Sequence, residues 1–223
     1  LVFGGQLAKF YRASGETTVP MGTILETDTL VLKGFVFDTL VDLCEPATDL
    51  DLVFSSSNVP QHQTVIRDWD KKALDIREGS NPYFHTCGRM EAFWRTPIAD
   101  AIGDARATEE DKTADMFDIW SGRAEAPKEE NPFMEAFVSA VIRASNNRRL
   151  CITSNGYMVL ASAKAKESDL ICILLGGQTP FVLRRRNGQH YLVGACYVHW
   201  MMDGQAMKEL QKGKYHLQDF VIS

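Results

Sequence analysis

The chain has 223 residues, 45% apolar and 24% charged, with a formal net charge of −5. That is enough to bury a sizeable core without disulfides or metal, as one large domain or two small ones. The acidic balance argues against a general nucleic-acid binder, which would be basic overall, and no apolar run reaches the ~18–20 residues that cross a bilayer. The charge is uneven: 100–130 is acidic, while 143–223 carries most of its charge as Lys and Arg.

In chain order, "KFYRASG" (9–15) alternates like a strand, and "TLVLKGFVFDTL" (29–40) reads as a strand passing into a short helix. Four stretches with apolar residues three or four apart predict helices over 60–76, 89–103, 108–122 and 131–147. Thr108 before Glu110 and Asp111 is an N-cap candidate and Gly122 a stop. Pro97 should kink or end the second helix, and Pro132 suits a first turn. "RLCITSNGYMVLA" (149–161) predicts a tight hairpin around Asn155-Gly156, a pair that tolerates a type I′ turn. "DLICILLGG" (169–177) suits a fully buried strand, and "TPFVLRRRNGQHYLVGACYVHW" (179–200) repeats the hairpin grammar at Asn187-Gly188, with Pro180 at its start. Then come a short helix in "GQAMKELQ", ended by Gly213, and a closing strand in 214–223.

Five strands joined by short turns cannot leave both sheet edges bare, and Gly176, Gly177 and Gly194 mark bends or close approaches. The expected class is α+β: a small, curved antiparallel β-barrel with a helical insertion. We read residues 1–223 as a single domain, β-rich over 1–40 and 148–223 and mainly helical over 60–147. The five cysteines are odd in number, widely spaced and set in apolar runs. They suggest buried free thiols in a reducing compartment, hence a cytoplasmic protein. Leu1 is not Met and no signal peptide is visible, so the chain is expected to be a piece of a longer protein.

The densest chemistry lies in "GACYVHWMMDGQAM" (194–207). Strand alternation puts Tyr191, Val193, Ala195, Tyr197 and His199 on one face and Leu192, Gly194, Cys196, Val198 and Trp200 on the other. Cys196 and His199 therefore point apart and form no nucleophile–base pair. Asp203 either caps the helix that follows or meets His199 in a binding role. Arg184 and Arg186 share a face beside the hairpin tip, where they are a solvated end or a clamp for a phosphate or acidic segment. The acidic residues near 109–118 are candidate partners for them. Cys87 with His85 is a further pair to test, at a loop leading into a helix. Phosphate-loop, dinucleotide, zincin and serine-hydrolase motifs are absent from the sequence, so no cofactor, metal or catalytic residue is expected.

The blocks "FYRASG", "LVLKGFVFDTL", "FWRTPIAD", "RRLCITSNGYMVLA", "SDLICILLGGQTPFVLRRR" and "HYLVGACYVHWMMDGQAM" occur in that order. Together they resemble the C-terminal barrel region of fungal heterokaryon-incompatibility (HET-domain) proteins, from about Phe10 to the final strand. Where that pattern has Gly-Asp, this chain has Ser168-Asp169; where it has Gly and Glu in "YVHGIMDGEA", this chain has Trp200 and Gln205. The resemblance implies self/non-self recognition or regulated cell death, and a non-enzymatic, partner-sensing role for this part. It supplies no catalytic residues; Tyr197, Val198, His199, Asp203 and Gly204 are positions that match. The implied partner is another protein or the N-terminal HET domain, with no membrane. A small-ligand or nucleic-acid-binding barrel using Arg184 and Arg186 is the alternative, and a cysteine-dependent enzyme is a third reading.

Overall fold

The structure, a computed structural model, describes residues 7–17, 22–25, 29–48, 61–74, 81–125 and 131–222. It is a mixture of helices and one large, mostly antiparallel sheet. The sheet is organised by β2, Thr29–Leu43, a 15-residue strand with a different partner at each level. The hairpin strand β1, Gly22–Leu25, and the last strand β11, Gln218–Ile222, pair with its first part, and β7, Leu170–Leu174, with its middle. β5, Arg148–Thr153, pairs with its end. Gly34 is matched to Gln218 and to Leu174, so β11 and β7 lie on opposite edges of β2. Pairing then runs from β11 to β9 (Gln189–Ala195, parallel), to β8 (Phe181–Arg186), to β7, and so back to β2. On the other branch β5 carries β6, Met158–Ser162, which carries β10, Tyr197–Val198.

Alternating side chains sort into three cores. Leu174, Leu183, Phe220 and Ile222 share one face of the circuit with the half-buried Leu30, Leu32 and Leu192. Phe35, Ile173 and Val182, from the opposite face, pack with Cys151 and Val159 of the second branch. The other face of that branch, Leu150, Met158 and Leu160, meets Trp69, Phe93, Phe117 and Phe137 of the helices. These are α1 (Gln61–Leu74), α2 (Arg89–Arg95), α3 (Thr113–Ser121) and α4 (Pro132–Ser145). A two-stranded ribbon, β3 (Ala101–Ile102) with β4 (Ala105–Arg106), and α5, Gln205–Gln211, complete the described elements.

Three helix-boundary signals, Pro132, Gly122 and Pro97, behave as expected. Asn131 accepts the Phe133 N–H ahead of Pro132, Gly122 ends α3 at φ 78°, and α2 stops at Arg95, just before Pro97. Helix α1 agrees with its prediction over its described length; Pro60, Asp75 and Ile76 lie outside the described residues. Asn187 and Gly188 both take positive φ, 49° and 79°, as a type I′ turn requires.

Several expectations are corrected. Residues 7–10 form a 3-10 helix rather than a strand. The run 29–40 does not turn helical: register shifts at Val36/Asp38 and Leu40/Asp42 bend β2 while it stays paired. Asp38 is accommodated by accepting from Ser154 Oγ (2.5 Å) and the Thr39 N–H (2.8 Å). In the second predicted helix, 101–102 is a strand. The Asn155 turn is wider than I′, with only Gly156 at positive φ and the Thr153 N–H bonded to the Tyr157 carbonyl. Thr108 precedes a short 3-10 turn, its N–H and Oγ held by Asp111, and α3 starts later, at Thr113.

Candidate functional site

Strand β10 turns successive side chains to opposite cores. Cys196 and Val198 lie in the core between the sheet branches, and Tyr197 in the helical core. Cys196 is fully buried and away from His199, as the alternation requires. Upstream the alternation is broken: Val182 faces Gly194 and Leu183 faces Leu192, so Val193 is the extra residue of a bulge. Val193 therefore packs with Cys196 and Val198, not with Tyr197. After His199 the chain reverses through Trp200, at φ 68°, and the Met201 N–H bonds to the Val198 carbonyl.

His199 is 4% exposed, and the sulfur beside it is Cys87. The loop carrying Cys87 is pinned by Tyr83, which is fully buried and whose hydroxyl accepts the Met158 N–H of β6 at 2.7 Å. The Thr86 hydroxyl donates back to the Tyr83 carbonyl. This folding sets Cys87 Sγ 3.3 Å from His199 Nε2, while Nδ1 lies 2.7 Å from the Tyr197 hydroxyl. The Tyr83 ring meets the imidazole edge-on, centroids 5.4 Å apart. His85, the neighbour expected for Cys87, meets the Phe84 ring edge-on instead, centroids 4.8 Å apart.

Burial pushes His199 down to about 3, and the Arg95 and Arg106 charges add to the shift. Burial also raises the Cys87 thiol and the Tyr197 phenol. At neutral pH the three groups are an uncharged thiol, imidazole and phenol. A neutral imidazole offers one N–H and one lone pair. If Tyr197 donates to Nδ1, the Nε2–H faces sulfur and the thiol proton points to the Gly88 carbonyl, 3.4 Å away.

Beside this trio runs a ladder of alternating charge. Glu91 meets Arg95 at 2.8 Å, Arg95 meets Asp100 at 2.5 Å, Asp100 meets Arg106 at 2.7 Å, and Arg106 meets Asp203 at 2.5 Å. Burial raises the Asp100 carboxyl although both arginines pull it down. It also opposes the charge of each arginine, but the carboxylates hold both guanidinium groups above their ordinary value. Arg106 also lies over the Tyr11 ring, 4.6 Å from its centroid. Trio and ladder line a cavity of 540 Å³, with Trp200 and Gln205 among its walls. Each guanidinium is held between two carboxylates, so the cavity offers donors and acceptors without a concentrated positive charge. Among the described residues no cluster of three His, Cys, Asp or Glu is arranged to hold a metal ion.

The structure thus brings Tyr197, His199 and Asp203 into one cavity. Asp203 does not cap α5; Gly204 occupies that position at φ 81°, and the Asp203 N–H donates to the Gln205 side chain. His199 and Asp203 are linked through the ladder, not as a direct pair. Arg184 and Arg186 lie elsewhere, on β8. Arg184 grips the buried Asp169 carboxylate through Nε (2.7 Å) and Nη2 (2.8 Å), and Arg186 stays exposed near the tip. Among the described side chains the acidic stretch does not meet these arginines: Asp111 holds Thr108, and Asp118 pairs with Arg123. Sequence reasoning missed Cys87 against His199, Arg95, Asp100 and Arg106. The Cys–His partners are 112 positions apart, and no periodicity links them.

These features define a mixed α and β protein whose large, mostly antiparallel sheet presents a polar cavity on its helical side, lined by three carboxylates and two guanidinium groups. Residues 128–218 match the family model of the Het-6 beta-barrel domain, consistent with the C-terminal barrel region of fungal HET proteins. "FYRASG", "LVLKGFVFDTL" and "FWRTPIAD" lie before the matched residues. No curated protein and no solved structure matches the chain. The two positions at which the resemblance implies glycine both take positive φ here, Ser168 at 67° and Trp200 at 68°. Glycine there would carry no Cβ penalty.

Proposed function

We propose that this chain is a non-enzymatic, partner-sensing module of a heterokaryon-incompatibility system, working in the cytoplasm of a filamentous fungus and acting in regulated cell death. On this reading the five strands that pair in a circuit form a small curved barrel, residues 1–223 act as one domain, and the partner is another protein or an N-terminal HET domain. The observation that carries the reading is the Het-6 beta-barrel match over 128–218. The cavity supports it, since its arginines are satisfied by carboxylates and its imidazole is uncharged at neutral pH, as suits a recognition surface better than acid–base work. Trp200 on the cavity wall, with Phe84 and Met90 on the segments flanking Cys87, exposes apolar surface of the kind that anchors protein contacts.

The test is the incompatibility response of a strain that carries the protein, scored as death of fused cells with a vital dye. Trp200→Ala and Arg106→Ala are expected to abolish it while the purified variants keep a cooperative thermal transition. An unchanged response in both folded variants would overturn the reading. The Sγ–Nε2 contact favours cysteine-dependent chemistry as a second reading. Turnover of an acyl-ester probe that disappears in Cys87→Ala would support it, and a response untouched by thiol alkylation would eliminate it.

A further inference from the structure

The described residues contain a second cavity, of 820 Å³, that shares no lining residue with the His199 site. Every strand of the pairing circuit contributes to it: Leu30 and Leu32 from β2, Leu174 from β7, Phe181 from β8, Leu192 from β9 and Ile222 from β11. Leu174 and Ile222 are buried, while the other four are half-buried, so the floor is apolar and reachable. The rim is polar. It is built by residues 9–17 with Lys9, Arg12 and Glu16 exposed, two cations against one carboxylate. The rim is anchored by backbone bonds: the Arg12 N–H to the Met202 carbonyl (2.7 Å), the Ala13 N–H to Gln178 (3.0 Å) and the Ser14 N–H to Gly177 (3.3 Å). A preformed cleft of this volume, apolar below and cationic at its edge, has the form of a small-ligand site.

We propose that this cavity binds a small amphiphile, a long-chain carboxylate whose apolar tail lies on the strand-derived floor and whose head group meets Lys9 and Arg12. The floor supplies affinity in proportion to the methylenes it covers, about two- to fourfold for each. The two cations select a carboxylate over an alcohol of equal length. Arg184 and Arg186 take no part, because neither lines the cavity.

The experiment titrates the whole chain at low salt with dansyl-undecanoic acid, then displaces the probe with dodecanoate, decanoate and dodecanol. Saturable binding is expected, with dodecanoate displacing better than decanoate. Leu192→Trp, which fills the floor, should abolish it with the fold retained by circular dichroism; Leu32→Trp replaces it if the first variant does not fold. Lys9→Ala with Arg12→Ala should weaken dodecanoate about tenfold and leave dodecanol unchanged. No saturable binding by the folded chain, or undiminished binding in a folded tryptophan variant, would overturn the proposal. Equal affinity for dodecanol and dodecanoate, indifferent to the rim cations, would overturn the head-group assignment. Probe binding that falls as protein concentration rises would mean that a second copy occupies the cleft, which also sinks it.

Discussion

His199 is a base that burial keeps uncharged, with a folded value of about 3 against an ordinary 6.5. Between those values the unfolded chain takes up a proton that the folded chain refuses, so stability rises with pH. Its contribution is fully present above pH 6.5 and is lost as pH falls toward 3, on the order of 1 kcal/mol per unit. Thermal melts of the parent and of His199→Gln from pH 7 to pH 4 should show the steeper loss in the parent; parallel curves would contradict this. Ser168 provides a second single-residue test, because it is exposed and left-handed. Ser168→Gly is expected to be neutral or stabilising by up to about 1 kcal/mol, and Ser168→Val to cost about 1–2 kcal/mol, read from urea midpoints. At this scale the sequence was partly legible. Alternation places Tyr197 and Cys196 in opposite cores, but it gives no hint of a sulfur from another loop. The Cys87–His199 contact depends on Tyr83 bonding to β6, an event that leaves no local pattern.

Among the elements, β2 is the most constrained. A Cβ built on Gly34 would lie 2.3 Å from the Ile173 carbonyl oxygen and 3.0 Å from the Leu174 Cα, backbone atoms that cannot swing aside. Gly34→Ala is therefore expected to cost roughly 3 kcal/mol or more by prising β2 from β7, measured by denaturant unfolding. The Asp169–Arg184 pair ties the start of β7 to β8. Asp169 is 1% exposed, so Arg184→Leu leaves a buried carboxylate with the Lys166 N–H but without its countercharge, and should cost about 3–5 kcal/mol. The double variant Asp169→Leu with Arg184→Leu should recover part of that loss, because the unpaired charge goes with its partner. The Asn187-Gly188 hairpin and the helix that starts at Pro132 were readable here, since both signals act within a few residues, whereas the Thr108 cap was misread. β2 was not readable. Its bulges place a polar Asp38 inside an apolar strand, which in sequence mimics the start of a helix.

Across the whole molecule, the sheet is joined by pairings between distant parts of the chain. β11 fills the gap between β2 and β9, antiparallel to one and parallel to the other. Deleting residues 217–223 should expose both edges and the apolar face that Phe220 and Ile222 cover. The expected result is loss of a cooperative transition and aggregation, followed by light scattering; a sharp transition near the parent's midpoint would show that the other pairings suffice. The class of the fold was legible from strand grammar and helical periodicity, but the order of strands was not, because register between remote segments is set by packing. None of the described helices is long and apolar enough to cross a membrane.

The long strand β2 emerges from the ribosome well before most of the segments that will cover it. Its partners β5, β7 and β11 begin at residues 148, 170 and 218. At roughly 5–20 residues per second, the interval between Leu43 and Arg148 lasts on the order of ten seconds. During that time, among the described strands, a sticky nascent ribbon has only the short β1 to pair with. Production in a cell should therefore lean on chaperones that shield extended chains, and slower translation should lengthen the window for misassembly.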